Sequence, residues 1–241
     1  MVAPLVPITW PSIYPKDGPK KPLPARMAKC APDMKAAIEA ASAALAGQGG
    51  KLILSDLFRS YEMQTQSHQD YVTHKKSAYS PPAGGSLHEA GRAFDLDLGA
   101  IKVTLAQFWK LAAPAGLVPI IDQPVSGVSE SWHFECRGSH QLVYDYYRAG
   151  KGNNFAKPYM AMAASAIVSV GVKVDKFGAN GDAAYLQSGL IRLGAAIGNM
   201  DGSIGRNTRA GLASLGIPKG TLPEMVARVE AALKARFPAE H

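Results

Sequence analysis

Three short runs alternate between apolar and polar residues. KLILSDLF (51–58), RAFDLDL (92–98) and SESWHFECR (129–137) each predict a half-buried strand, because side chains in a strand point to opposite faces with period two. Between them lie segments of helix formers. PDMKAAIEAASAALAGQGG (32–50) is alanine-rich with a glycine stop. YEMQTQSHQDYVTHKK (61–76) has few breakers, and TLAQFWKLAAPAG (104–116) is ended by Pro114 and Gly116. HQLVYDYYRAG (140–150) reads as a closing helix, and SPPAGG (80–85) as a loop. Strands and helices in this order predict an α+β domain.

Beyond residue 150 the pattern changes. GKGNNFAKP (150–158) has linker composition, and the helical segments DAAYLQSGLIRLG, IGRNTRAGLASLG and LPEMVARVEAALKARF follow, separated by glycine turns. The first 30 residues are rich in Pro and Lys, which predicts an extended arm. The expected organisation is therefore an arm (1–30), an α+β domain (31–149), a linker (150–158) and a small all-α domain (159–241). No internal repeat is visible. The longest apolar stretch, Tyr159–Val172, falls short of the roughly 18–20 residues needed to span a bilayer, so a buried helix is expected there. The N-terminus has no basic n-region, and prolines interrupt its apolar residues; synthesis in the cytoplasm without a secretory signal is the expectation.

Charge changes this picture in one respect. Of the formal net charge of +7, residues 151–241 carry +5, with 11 Lys or Arg against 6 Asp or Glu. A basic helical portion favours an anionic polymer, whether nucleic acid, membrane surface or cell wall. Two cysteines, Cys30 and Cys136, are too few for a disulfide framework; one bridge or two buried thiols are both open.

The chemistry is concentrated in two segments, Ser86-Leu87-His88-Glu89-Ala90-Gly91-Arg92-Ala93-Phe94-Asp95 and Glu130-Ser131-Trp132-His133. Imidazole and carboxylate are ligands of catalytic zinc, which takes three protein groups and leaves a position open; His88, Asp95 and His133 supply such a set. A carboxylate must also relay the proton from attacking water to the leaving amine, and Glu130 is the nearby candidate. An extended chain puts Glu130 and His133 on opposite faces, so this role requires a turn or bulge between them. Taken singly, each residue has an ordinary reading: a hydrogen-bonded histidine, a solvated aspartate, a wall tryptophan at 132, a surface ion pair at Arg59. His68, His74, His140 and His241 lie outside both segments and are expected at the surface, and Glu135 is expected to be a structural or solvent partner. The motifs H-E-x-x-H, C-x-x-C, G-x-S-x-G and the P-loop do not occur.

Together the segments resemble the S-x-H-x-x-G-x-A-x-D and E-x-W-H motifs of the VanY-type D-alanyl-D-alanine carboxypeptidases, a zinc-peptidase family that includes phage endolysins cutting between L-Ala and D-Glu. FRSYEMQ (58–64) is similar to the family's (Y/F)-R-S-x-x-x-Q segment. The resemblance spans roughly Leu52–Tyr147. It implies a hedgehog/DD-peptidase-like antiparallel sheet with flanking helices, with zinc bound by His88, Asp95 and His133. It implies Glu130 as catalytic base, Arg59 as binder of a carboxylate or oxyanion, and Ser86, Gln64 and Trp132 in substrate binding. YLQSGLIRLG and DGSIGRNTRAGLASLGI resemble the L-Q-x-x-L-x-x-L-G and D-G-x-x-G-x-x-T phrases of a helical peptidoglycan-binding domain. The A-V-x-x-F-Q that usually follows is replaced by Ala210-Gly211-Leu212-Ala213.

The function expected on these grounds is a monomeric zinc peptidase of bacterial peptidoglycan stem peptides. A lytic endopeptidase, such as a phage endolysin or an antibacterial effector, is favoured over a D,D-carboxypeptidase. It would act at the cell wall after release or injection. Hedgehog signalling domains use a similar site for protein interaction, so a non-catalytic zinc module is the alternative from another class. Nothing beyond scattered Lys and Arg suggests nucleic-acid reading, and no such partner is expected.

Overall fold

Each alternating run becomes a strand in the structure, a computed structural model describing residues 5–241, although each strand uses only part of its run. Residues 1–4 of the expected arm lie outside the described residues. Contacts divide the chain into two units, residues 5–82 with 86–137, and residues 138–241 with 83–85.

The first unit begins with β1 (Val6–Pro7), paired antiparallel to β2 (Lys29–Cys30), followed by α1 (Pro32–Ala46). Next come β3 (Leu54–Asp56), α2 (Tyr61–Val72), β4 (Ala93–Leu96), α3 (Leu105–Ala112), β5 (Leu117–Pro119) and β6 (His133–Cys136). Four of these strands form an antiparallel sheet in the order β3-β4-β6-β5. Residues 5–30 do more than extend. Ile8, Leu23 and Met27 are buried in the core, and the Trp10 indole donates to the Leu52 carbonyl at 2.9 Å. Between the two short strands β1 and β2 the proline-rich chain has no helix, yet it is partly buried.

Phe94 of β4 and Phe134 of β6 stack at 5.9 Å between ring centroids, and Phe108 of α3 meets Phe134 edge-on at 4.9 Å. All three are fully buried with Met34, Ile38 and Leu45 of α1. Burial of each such side chain stabilises the fold by roughly 1.5–3 kcal/mol. The opposite face of β4 and β6 is thereby left to Asp95, His133 and Glu135, by the period-two rule. Helix starts are capped from the sequence: Ser60 accepts from the Met63 amide at α2, and Thr104 and Gln107 form a capping box at α3. Cys30 and Cys136 are buried thiols, and burial pushes Cys30 up to about 12.

The second unit holds α4 (Gln141–Arg148), α5 (Pro158–Ser169), α6 (Gly181–Arg192), α7 (Arg206–Ser214) and α8 (Leu222–Arg236), with no strand among its described residues. The whole is thus a mixed α and β fold with small antiparallel sheets and eight α-helices among the described residues. α4 packs on α5 and α6, so this unit starts at Gly138, whereas the sequence reading divides the chain at 150–158. The cause is its buried face of Val143, Tyr146 and Tyr147. Tyr146 Oη accepts the Ile197 and Gly198 amides, and Asn154, inside the expected linker, bonds both Tyr147 and the Met200 carbonyl.

α5 is buried from Ala161 to Ser169, the helix expected in the long apolar stretch. Among the described residues no helix is long and apolar enough to cross a membrane. At Gly189 a Cβ would lie 2.3 Å from Val229 Cγ1, so glycine is what lets α6 and α8 approach. His140 departs from its expected surface position. It is buried, with Nδ1 2.8 Å from Ser165 Oγ, because the neighbouring Ser139, Arg192 and Glu240 form a buried hydrogen-bonded ion-pair network that draws its turn inward.

Candidate functional site

β4 and β6 pair with Asp95 directly opposite His133, and this register alone brings two of the proposed ligands together. Asp95 Oδ1 lies 2.9 Å from His133 Nδ1. His88 arrives from the 3-10 turn Leu87–Ala90, with its Nε2 3.4 Å from the same Asp95 oxygen. The two imidazoles meet edge-on at 5.0 Å. One ligand atom from each of His88, Asp95 and His133 falls within 4.8 Å of the others.

The S-x-H-x-x-G-x-A-x-D segment explains how the turn is made. Ser86 caps it, accepting from the His88 amide while Glu89 accepts from the Ser86 amide. The turn ends at Gly91, whose φ of 60° is left-handed and whose absent Cβ would lie 2.8 Å from Cys30 Cα. Ala93 pairs across the sheet with Glu135. Ser86 is thus placed as a buried cap on the turn that carries His88.

Glu130 resolves the geometric objection raised by its spacing. It adopts φ 68°, left-handed for a non-glycine residue, and its carbonyl accepts the His133 amide at 3.0 Å. This turn replaces the extended chain expected from residue 129 to 132. It swings the carboxylate to the His133 side, with Oε2 4.0 Å from His133 Nδ1. A non-glycine residue in this conformation carries strain, and such strain concentrates at functional positions. Trp132 next to it is half-buried, with its carbonyl accepting the Leu96 amide.

Arg59 is held on three sides. Its Nε and Nη2 lie 2.6 Å from Asp56 Oδ2, Nη1 donates to Gln64 Oε1 at 3.1 Å, and Nη2 is 3.6 Å from Asp95 Oδ2. Gln64 is fully buried beneath it and uses its amide nitrogen on Ser80 Oγ and the Pro81 carbonyl. The structure therefore places Gln64 behind Arg59, supporting the guanidinium. Asp56 escaped the sequence reading, although its position three residues before Arg59 was a usable signal. His68, expected to be a surface residue, bonds the Ser80 carbonyl through Nδ1 at 2.7 Å and helps fix the same loop.

The electrostatics follow from this crowding. Burial pushes the Asp95 carboxyl up, but His88 and His133 outweigh burial and hold it well below the usual carboxylate range. Burial pushes His133 down, yet hydrogen bonds and charge from Asp95 and Glu135 raise it to about 10. The cluster therefore draws a proton onto His133. Glu130 is raised, first by burial and then by Asp95, against His133, His88 and Arg59. Arg59 is lowered by burial but raised overall by Asp56 and Asp95.

The residues fit a metal ion. His88 donates Nδ1–H to the Leu57 carbonyl at 2.7 Å, so its Nε2 carries the lone pair; this nitrogen is buried and has no hydrogen-bond partner. An orphaned acceptor facing a carboxylate and a second imidazole is a donor set suited to zinc, and a backbone anchor on the remote nitrogen is the usual outer support of such a ligand.

In the helical unit, Gln187 is buried and joins the motif residues to one another. Its amide oxygen accepts the Asp201 and Gly202 amides, and its nitrogen donates to Asp201, the Ser203 carbonyl and Thr208. An open cleft of about 460 Å³ beside them is lined by Lys151, Asn153, Asn199, Arg206 and Asn207 among others.

No family model matches the chain, and no curated protein matches it. Solved structures that align with it include the LdcB LD-carboxypeptidase, described for its peptidoglycan recognition, at 23% identity over 55% of this chain and 84% of that one, with a TM-score of 0.36. DacB from Streptococcus pneumoniae D39 aligns at 24% identity over 55% and 84%, with the same TM-score of 0.36.

Proposed function

We propose that the chain is a zinc-dependent peptidase acting on the peptides of bacterial peptidoglycan. The observation that carries the metal is the orphaned, buried His88 Nε2 facing Asp95 and His133. The motif resemblance supports the substrate. His88 Nε2, Asp95 and His133 Nδ1 would hold the zinc, which would supply the Lewis acidity for polarising a peptide carbonyl and acidifying a water.

The protein's own residues perform the rest. Glu130, turned towards the cluster and raised by its burial, accepts the proton of attacking water and passes it to the departing amine. Arg59, kept charged and oriented by Asp56 and Gln64, stabilises negative charge that develops on the substrate oxygen or binds a peptide carboxylate. Ser86 keeps the His88 turn in place, and Trp132 forms a wall for the peptide. A non-catalytic zinc module needs neither a strained Glu130 nor a braced Arg59.

The helical unit is the proposed wall-binding part, with its Lys151 and Arg206 cleft and net basic charge suited to an anionic polymer. Holding the enzyme at the wall raises the local substrate concentration without altering the chemistry. A lytic endopeptidase is the favoured reading, with a D,D-carboxypeptidase as the alternative that the products distinguish. Mass spectrometry of digested peptidoglycan, beside EDTA-treated protein and Glu130→Ala, tests the proposal. Stems released between L-Ala and D-Glu mean the endopeptidase, and free D-alanine means the carboxypeptidase. Absence of any new product from zinc-loaded protein on several wall types would reject the enzyme.

A further inference from the structure

His88 and His133 present different nitrogens to the cluster, and they are anchored differently. For His88 the anchor is a backbone carbonyl, which receives Nδ1–H and leaves Nε2 facing inward. For His133 the inward nitrogen is Nδ1, and the opposite nitrogen meets a side chain, with Nε2 3.3 Å from Glu135 Oε1. Glu135 lies two residues further along β6, so both side chains project from the same face of the strand. Ala93 of β4 and Val118 of β5 flank it across the sheet, and it is fully buried. Its other oxygen, Oε2, accepts from Arg137 Nε at 2.6 Å.

Packing does not require a carboxylate in the middle strand of a sheet, where burying one costs several kcal/mol unless it is paired. We infer that Glu135, itself oriented by Arg137, is a positioning residue that fixes the ring orientation and tautomer of His133, so that its Nδ1 lone pair is presented for metal binding. An imidazole rotated by half a turn would offer Nε2–H and Nδ1 in the wrong places. Glu135 accepts only from the nitrogen on its side and so selects one arrangement, whereas β6 alone fixes only the ring's attachment. This inference rests on the metal-site reading proposed above.

The test is zinc affinity, measured by competition with a chromophoric chelator on the full chain, for wild type, Glu135→Gln, Glu135→Ala and Arg137→Gln. Outer carboxylate partners of this kind contribute about 10- to 100-fold in metal affinity. Both Glu135 variants are expected to bind zinc in that range more weakly than wild type. Arg137→Gln, at a partly exposed side chain, should weaken binding only a few-fold. Nitrogen-15 NMR of the zinc-loaded wild type is expected to show His133 protonated at Nε2. Unchanged affinity in folded Glu135 variants overturns the inference, as does a wild-type His133 protonated at Nδ1. The NMR result stands even where the variants fail to fold. Wild-type protein that binds no zinc overturns the metal-site reading itself, a different outcome from wild type that binds zinc no better than Glu135→Gln.

Discussion

Glu130 is the residue whose backbone and side chain are in opposition, and replacing it by glycine and by alanine separates the two. Its φ of 68° lies where an L-residue pays roughly 1–2 kcal/mol and glycine pays almost nothing. Glycine also gains freedom in the unfolded chain, which costs the folded state about 0.4–1 kcal/mol relative to alanine. Both substitutions delete the same carboxylate, so loss of its interactions cancels between them. The difference leaves Glu130→Gly more stable than Glu130→Ala by about 0.5–1 kcal/mol. In melting temperature that is about 1–4 °C for a protein of this size. The chain's three tryptophans, Trp10, Trp109 and Trp132, all belong to the unit that carries the cluster. Tryptophan fluorescence during thermal or urea unfolding, with EDTA present, therefore follows the relevant transition. Peptidoglycan turnover should be lost in both variants. An alanine variant as stable as the glycine variant would refute the claim that Glu130 is held under strain for the sake of its carboxylate.

Other consequences can be checked alongside. Chelation should abolish turnover and zinc should restore it, and zinc at a hundred times its dissociation constant should stabilise the fold by about 2.7 kcal/mol, read as a rise in melting temperature. Gly91→Ala meets both a left-handed φ and the Cys30 backbone, so a loss of about 2–4 kcal/mol is expected from urea denaturation. Weakened zinc binding should accompany it, because the turn carrying His88 must shift. Gln64→Leu keeps the volume but removes the partner of the Arg59 Nη1 donor and of the Pro81 carbonyl, which should cost about 2–3 kcal/mol and lower kcat/KM; wild-type stability would contradict this account. Cys30 is raised from 9.0 to about 12 in the fold, so its contribution is complete below pH 9 and is lost as the pH rises towards 12. At pH 10 the loss is on the order of 1 kcal/mol, and comparing the alkaline decline of wild type with that of Cys30→Ala measures it.

Periodicity and local composition marked the three alternating runs, the segments that became α2 and α3, and the apolar stretch that became α5, since those signals depend on neighbours along the chain. The motif spacing likewise marked His88, Asp95 and His133, whose side chains the structure brings together. Strand β5, the burial of residues 5–30 and the attachment of α4 to the helical unit were not legible, because partners distant in sequence decide them. His140 was misplaced for the same reason, its environment being made by Ser165 and by an ion pair that reaches the last residues of the chain.

What the sequence determined by itself, then, was the local conformational menu and the inventory of chemical groups. Tertiary structure alone decided which atoms of those groups face one another. The register of β4 against β6 puts Asp95 opposite His133, the Leu57 carbonyl leaves His88 with a lone pair on Nε2, and a left-handed turn swings Glu130 to their side. Strand spacing predicted the opposite face for Glu130. A single residue at positive φ reverses that direction, in a turn that the Glu130 carbonyl closes on the His133 amide and that the Leu96 amide ties to β4 through the Trp132 carbonyl.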